Sequence, residues 1–293
     1  MAIRDQSYTD YTGDLIGAPP AWVIAANDLR LYWSYRRTKL LFIGALFVMM
    51  PFVFGVLAER FLLGSLGVSR DNTVGMLFHW MGAAQIWMCV AFFAGVACGV
   101  IADDVRYRTI QLYFSKPIRA VDYALGKFGA LMLLGSLVTL LPSMLVGALR
   151  TGVLLAAGTE PKIAVLELVG LLGFNVIMLA VLSLVLMALS SLISRTGYVV
   201  LAWLGVILIP SMVSTTVGFV RSGEPWTELL SLSGTLWRAL DILVQYKGEP
   251  VSEGVTDLLP SYMTWAPWPV LVVVVGIAVA AVAWRLSRME GIA

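Results

Sequence analysis

Long apolar runs separated by short polar breaks set the layout of this chain. Six runs free of charge cover about Leu40–Ala58, Trp80–Ala102, Phe128–Ala148, Leu168–Ile193, Gly197–Val220 and Ala266–Trp284. Each is close to the ~20 predominantly apolar residues that an α-helix needs to cross a hydrocarbon core. A transmembrane barrel would instead show segments of about 10 residues alternating between two faces. The pattern predicts an all-α polytopic membrane protein with six transmembrane helices, in which residues 1–39 are a leader and 40–293 the transmembrane domain.

The leader has its own periodicity. In "AWVIAANDLRLYWSYRRTK", residues Trp22, Ala25, Ala26, Leu29, Tyr32 and Trp33 fall on one helical stripe, and Asn27, Arg30, Ser34 and Arg37 on the other side. This predicts an amphipathic helix lying in the membrane interface with its aromatics at headgroup depth. The alternative, an early extension of the first span, has to accommodate Arg36, Arg37 and Lys39. No cleavable signal peptide is expected, because no short apolar stretch ends in a small-residue cleavage site.

Composition agrees with the pattern. The chain is 59% hydrophobic and only 13% charged, with a mean hydropathy of +0.87, where a soluble domain would carry about 25% charged residues. With an even number of spans both termini share a side. That side holds 13 of the 20 bases: Arg4, Arg30, Arg36, Arg37, Lys39, Arg106, Arg108, Lys116, Arg119, Lys127, Arg195, Arg285 and Arg288. By the positive-inside rule it is cytoplasmic, in a cell inner or plasma membrane. The segment 221–265 then faces outward. A net charge of +2 gives no reason to expect nucleic-acid binding.

The residues that carry chemistry are sparse. One histidine, His79, stands at the outer mouth of the second run, too few ligands for a metal site. Cys89 and Cys98 lie nine residues apart on one span, about 13 Å at helical rise and too far for a disulfide. Thirteen methionines are scattered through the spans without a clustered motif. The six runs contain no Asp, Glu, Lys or Arg, as a proton-coupled carrier or an intramembrane hydrolase would require. There is no phosphate-binding loop; Gly126-Lys127 has the wrong successor. The chain is therefore expected to be no enzyme, with no metal and no cofactor of its own.

One polar stretch between the second and third runs, "IADDVRYRTIQLYFSKPIRAVDYALGKF", carries five bases and three acids, a charge that by itself fits a topology-setting loop. From Asp104 to Phe114 it can continue as a short helix until Pro117 forces Lys116 out of helical geometry. Asp122 is then the expected N-cap of the third span. The plainer reading is a solvated, positive-inside loop.

The order of residues in this stretch resembles the signature of ABC-2 family permeases, the membrane subunits of ABC exporters. Asp104 matches the acid of that signature, Thr109 its threonine, Leu112 and Phe114 its hydrophobic positions, and Pro117-Ile118-Arg119 its proline step; Tyr123, Gly126 and Lys127 match the start of the next helix. Arg108 stands where the family usually has glycine. The resemblance extends to the leader, the six-span layout and the long outer segment. It implies a coupling helix over 103–117, formed by Asp103, Asp104, Arg106, Arg108, Thr109, Leu112, Phe114, Lys116 and Pro117. It further implies a separate ATPase subunit holding ATP and Mg, and a second permease copy or a homologous permease. The expected function is thus the permease subunit of an ATP-driven exporter. The alternatives are a membrane scaffold without a transported substrate and a polytopic membrane enzyme.

Within the spans, Ala91, Gly95 and Gly99 recur every four residues and predict a close helix approach. After Pro210, the residues Ser211, Ser214, Thr215 and Gly218 form a mildly polar face in the fifth span, read as part of a pathway or of the permease interface. Asn175, Ser183 and Ser190 form a similar face in the fourth, where cross-helix hydrogen bonding is the commoner role. In the outer segment, Leu229, Leu232, Leu236, Leu240 and Leu243 with Trp226 and Trp237 predict one or two short helices that cap the bundle.

Overall fold

A computed structural model of the chain describes residues 19–65, 76–114, 118–156, 161–220, 225–244 and 265–290. Among these residues all regular structure is helical, and six stretches are long and apolar enough to span a membrane: Arg36–Ala58, Leu77–Val96, Ala120–Ala156, Val165–Leu192, Thr196–Val220 and Pro267–Arg288. The all-α polytopic architecture read from hydropathy is the one observed.

Helix α1, Pro20–Ser34, starts on a proline whose fixed φ suits the first helical position, and it ends where Tyr35 turns extended at φ −74°, ψ 133°. That one-residue break separates it from α2, Arg36–Ser65, so the leader helix is an element of its own. Helix α3, Met76–Val96, begins before the expected Trp80 and stops short of Ala102. Two short helices follow, α4 at Ala102–Arg106 and α5 at Thr109–Phe114.

The third span is two helices in series, α6 at Ala120–Val138 and α7 at Leu140–Ala156. They are offset at Thr139, whose φ and ψ are −113° and −56°. Pro142, with no N–H to give the preceding turn, sits just beyond. Gln85 of α3 reaches the Thr139 carbonyl at 3.3 Å, a cross-helix bond at the offset. At 37 residues this span would measure about 55 Å if straight, well over the ~30 Å of a hydrocarbon core. The span is thus longer than a straight crossing needs.

Helix α8, Pro161–Leu192, is the axis of the bundle: α3, α4, α6, α7 and α9, Thr196–Val220, all pack on it, as do α10, Leu232–Val244, and α11, Pro267–Glu290. Its Leu171, Phe174, Met178, Leu182, Leu186 and Ser190 are inaccessible. Helices α2, α9 and α11 turn most of their residues outward. Lipid tails are as apolar as leucine, so close packing rather than water exclusion holds such helices together. Gly170 shows the point: a side chain there would collide with the Leu243 carbonyl of α10. Trp203 of α9 is fully buried and donates to the Val90 carbonyl at 3.0 Å, which ties α9 to α3.

The chain runs back and forth between two ends. One gathers α1, α4, α5 and the turn between α8 and α9. The other is capped by a 3-10 helix, Pro225–Leu230, and by α10. α10 packs on α3, α8, α9 and α11, in line with the predicted capping helices.

Candidate functional site

The expected single helix from Asp104 to Phe114 is broken. Arg108 between α4 and α5 has φ 59°, in the left-handed region that costs a residue with a Cβ about 1–2 kcal/mol and glycine nothing. The position where the resembled signature carries glycine is thus a left-handed turn. Its consequence is a knuckle: Arg106, Tyr107 and Arg108 project outward, with Tyr107 66% exposed.

The acids on the inner side of the knuckle are engaged. Asp104 accepts from Thr109 Oγ1 at 2.9 Å and from Tyr123 Oη at 2.7 Å, and it pairs with Lys127 Nζ at 2.7 Å. Lys127 pairs at 2.8 Å with Asp28 of α1 as well. Its ammonium also lies 5.4 Å from the Tyr123 ring centroid and 5.9 Å from that of Tyr113. Asp28 and Lys127 are both buried, at 4% and 3% exposure. Burial pushes the Asp28 carboxyl above its ordinary range, and the Lys127 ammonium draws it back only in part.

This junction forms because α1 lies directly against α6. Ile24, Ala25, Asp28 and Tyr32 face inward, while Trp22 and Trp33 stay exposed. The predicted stripe is therefore split: Ala25 and Tyr32 meet protein, and its tryptophans point away. Gly126 permits the approach, since a Cβ there would stand 2.8 Å from the Ala21 carbonyl oxygen and 2.7 Å from Ile24 Cβ.

Two further contacts fasten the loop to the bundle. Thr196, at the start of α9, donates to Asp103. Ser190 of α8 accepts from the backbone N–H of Ile101 at 3.0 Å and of Ala102 at 2.9 Å, and donates to the Cys98 carbonyl at 2.9 Å. It satisfies the backbone where α3 has ended. One loop is thus bonded to α6, α8 and α9, and through Lys127 it is linked to α1.

Of the predicted loop residues, Asp103, Asp104 and Thr109 join the junction, and Arg106 and Arg108 form the exposed knuckle. The side chains of Leu112 and Phe114 lie outside the described residues, as do Lys116 and Pro117 altogether. Asp122 is not the N-cap of the third span; Arg119 occupies that position without a side-chain bond, and Asp122 sits in the first turn. Asp28, Tyr113, Ser190 and Thr196 were not read as part of the loop site. Asp28 carried a signal, being an acid between the inward-facing Ala25 and Tyr32.

The opposite end holds a second polar set. His79 pairs with Asp241, and Arg238 reaches Glu228 at 2.7 Å and Asp241 at 3.6 Å. Nearby, Arg150 and Glu167 form a buried pair, with the Arg150 guanidinium 4.7 Å from the Phe78 ring centroid. Sequence reading placed no ionisable residue within a span, yet Lys127, Arg150 and Glu167 lie within the longer observed helices. Lys127 and Arg150 are 23 residues apart, about 35 Å of rise, close to the thickness of a hydrocarbon core. Each is neutralised by a partner.

Between this cap, α3 and α9 lies a cavity of about 700 Å³. Ser211, Ser214 and Thr215 all line it, opposite Trp80, Trp87 and Trp237. Ser214 Oγ donates to the Thr227 carbonyl at 2.7 Å, and Thr215 Oγ1 to Ser211 O at 2.9 Å. Glu228 forms part of the wall; burial pushes its carboxyl up and Arg238 pulls it back. Asn175 and Ser183, by contrast, are buried in the core. The described residues contain no cluster of three or more His, Cys, Asp or Glu fit to hold a metal. Neither a family model nor a curated protein matches this sequence.

Proposed function

We propose that this chain is the permease subunit of an ATP-driven exporter of the ABC-2 kind, moved by a separate ATPase that grips the knuckle at Arg106–Arg108. The observation that carries this reading is the attachment of one loop to four helices through Asp103–Thr196, Ser190 and the Asp28–Lys127–Asp104 junction. A displacement of the knuckle cannot stay local, because these bonds, buried at Ser190 and Lys127 and part-buried at Asp103, would be left without partners. The loop therefore moves with α1, α6, α8 and α9 as a block, which is how a domain without chemistry of its own is driven. ATP and Mg would sit in the partner, and a second permease copy would complete the assembly.

The exposed face of the knuckle is two arginines around a tyrosine, residue types enriched among interface anchors. Arg106 stacks its guanidinium 5.4 Å from the Tyr107 ring. Tyr107→Ala should release the ATPase on co-purification from membranes, with a loss of about 2 kcal/mol or roughly thirtyfold in affinity. Arg108→Ala should cost less. A Tyr107→Ala chain that still holds a fully coupled ATPase would return the loop to a topology determinant.

A further inference from the structure

We propose that the cavity between α3, α9 and the cap is a binding site for an amphipathic organic cation, with the charge toward Glu228 and the apolar body toward Trp87. The ligand class stands on the cavity alone; only the fate of the bound cation rests on the permease reading.

The walls decide the body of the ligand. From Trp80 to Trp87 on α3 and from Ser211 to Gly218 on α9 the lining spans eight residues on each helix, about 10 Å of wall. With Phe52 and Trp237 it presents aromatic side chains to a volume suited to one small organic molecule. Trp80 and Trp237 stand 6.2 Å apart between centroids, at the end where Glu228 lies.

The charge follows from what lines the wall. Arg238 pairs with Glu228 and Asp241, and His79 pairs with Asp241 as well; of these four groups only Glu228 lines the cavity. Both Arg238 bonds to Glu228 land on Oε2. No Lys or Arg is among the lining residues, so an anion would meet the Glu228 carboxylate with no lining base to offset it. A cation meets that carboxylate beside three tryptophans, the best aromatic partners for a positive charge. The hydroxyls of Ser211, Ser214 and Thr215 add a mildly polar flank without charge.

The test uses the whole chain, purified in zwitterionic nanodiscs, with tritiated tetraphenylphosphonium as probe and triphenylphosphine oxide as a neutral competitor of similar shape. Saturable binding is expected, displaced by unlabelled cation at about tenfold lower concentration than by the neutral oxide. Ser211→Phe should abolish it by filling the cavity. Glu228→Gln, which retains an acceptor for Arg238, should weaken it about tenfold, and Trp284→Ala on α11 should leave it unchanged. Absence of saturable binding, equal competition by the oxide, or binding that survives both cavity variants would overturn the proposal. So would efficient cross-linking of Ser211→Cys to the same position of a second copy, which would mean that the copy fills the space. No ATPase enters these measurements. A chain that binds the cation yet never retains an ATPase would sink the permease reading and leave the site standing.

Discussion

Lys127 is the residue on which the loop end depends. It is buried and faces two carboxylates, Asp28 and Asp104, and removing one member of a buried ionic group strands the rest. Lys127→Met should therefore cost about 3–5 kcal/mol, seen as a lower apparent Tm of the purified protein. Adding Asp28→Asn and Asp104→Asn should restore part of it; a triple variant no more stable than Lys127→Met would mean that packing, not charge, is lost. Glu228 is the counterpart at the other end. Its carboxyl is raised by burial against the pull of Arg238, with Asp241 and His79 the other charged groups acting on it. The sign is opposite for stability and for cation binding. A raised acid adds stability that is full below its unfolded pKa and lost as pH rises through the folded one. Binding needs the ionised form, and should be lost as pH falls through that same folded value, above the ordinary 4.5 of a glutamate. Titration of tetraphenylphosphonium binding against pH should show this acid limb in the native chain and lose it in Glu228→Gln.

At the scale of elements, the leader helix is the one whose role changes most between pattern and structure. An amphipathic helix with interfacial aromatics needs only a membrane surface, but α1 also has a protein face made by Ile24, Ala25, Asp28 and Tyr32. Its seat on α6 depends on Gly126, because the group nearest a new Cβ includes backbone that cannot swing aside. Gly126→Ala should lift α1 and break the Asp28–Lys127 pair. A cysteine introduced at Ile24, buried in the native chain, should then react with a maleimide at least tenfold faster; unchanged reactivity would show that α1 tolerates the methyl. The loop between α3 and α6 illustrates the converse. Its helical propensity is real on both sides of Arg108, and the break comes from a single left-handed residue, which periodicity does not reveal.

For the whole molecule, the bundle places the Lys- and Arg-rich loop, α1 and the end of α11 together at one end, and the cap of the 3-10 helix and α10 at the other. The positive-inside rule supports an orientation with the loop end toward the cytoplasm. Cysteine introduced at Ser194, exposed in the turn between α8 and α9, should be labelled only from the cytoplasmic face. One at Ser252, outside the described residues, should be labelled only from the opposite face. Reversed or mixed labelling would dismantle the proposed orientation and with it the ATPase contact.

The number and order of the spans, the separate leader helix and the capping segment were all legible in the sequence, because crossing a bilayer demands a length of apolar chain that composition alone records. The loop residues Asp104, Thr109, Tyr123 and Lys127 were legible as a motif, and Ser211, Ser214 and Thr215 as one face of a helix. What tertiary structure decided was partnership. Asp28 lies 99 residues from Lys127 in the chain and Glu228 far from Trp80, and no local period connects them. Whether a charge is solvated or buried beside its counterpart depends on which helices touch. That choice is made by close approaches such as those at Gly126 and Gly170, whose meaning lies in the neighbour they admit.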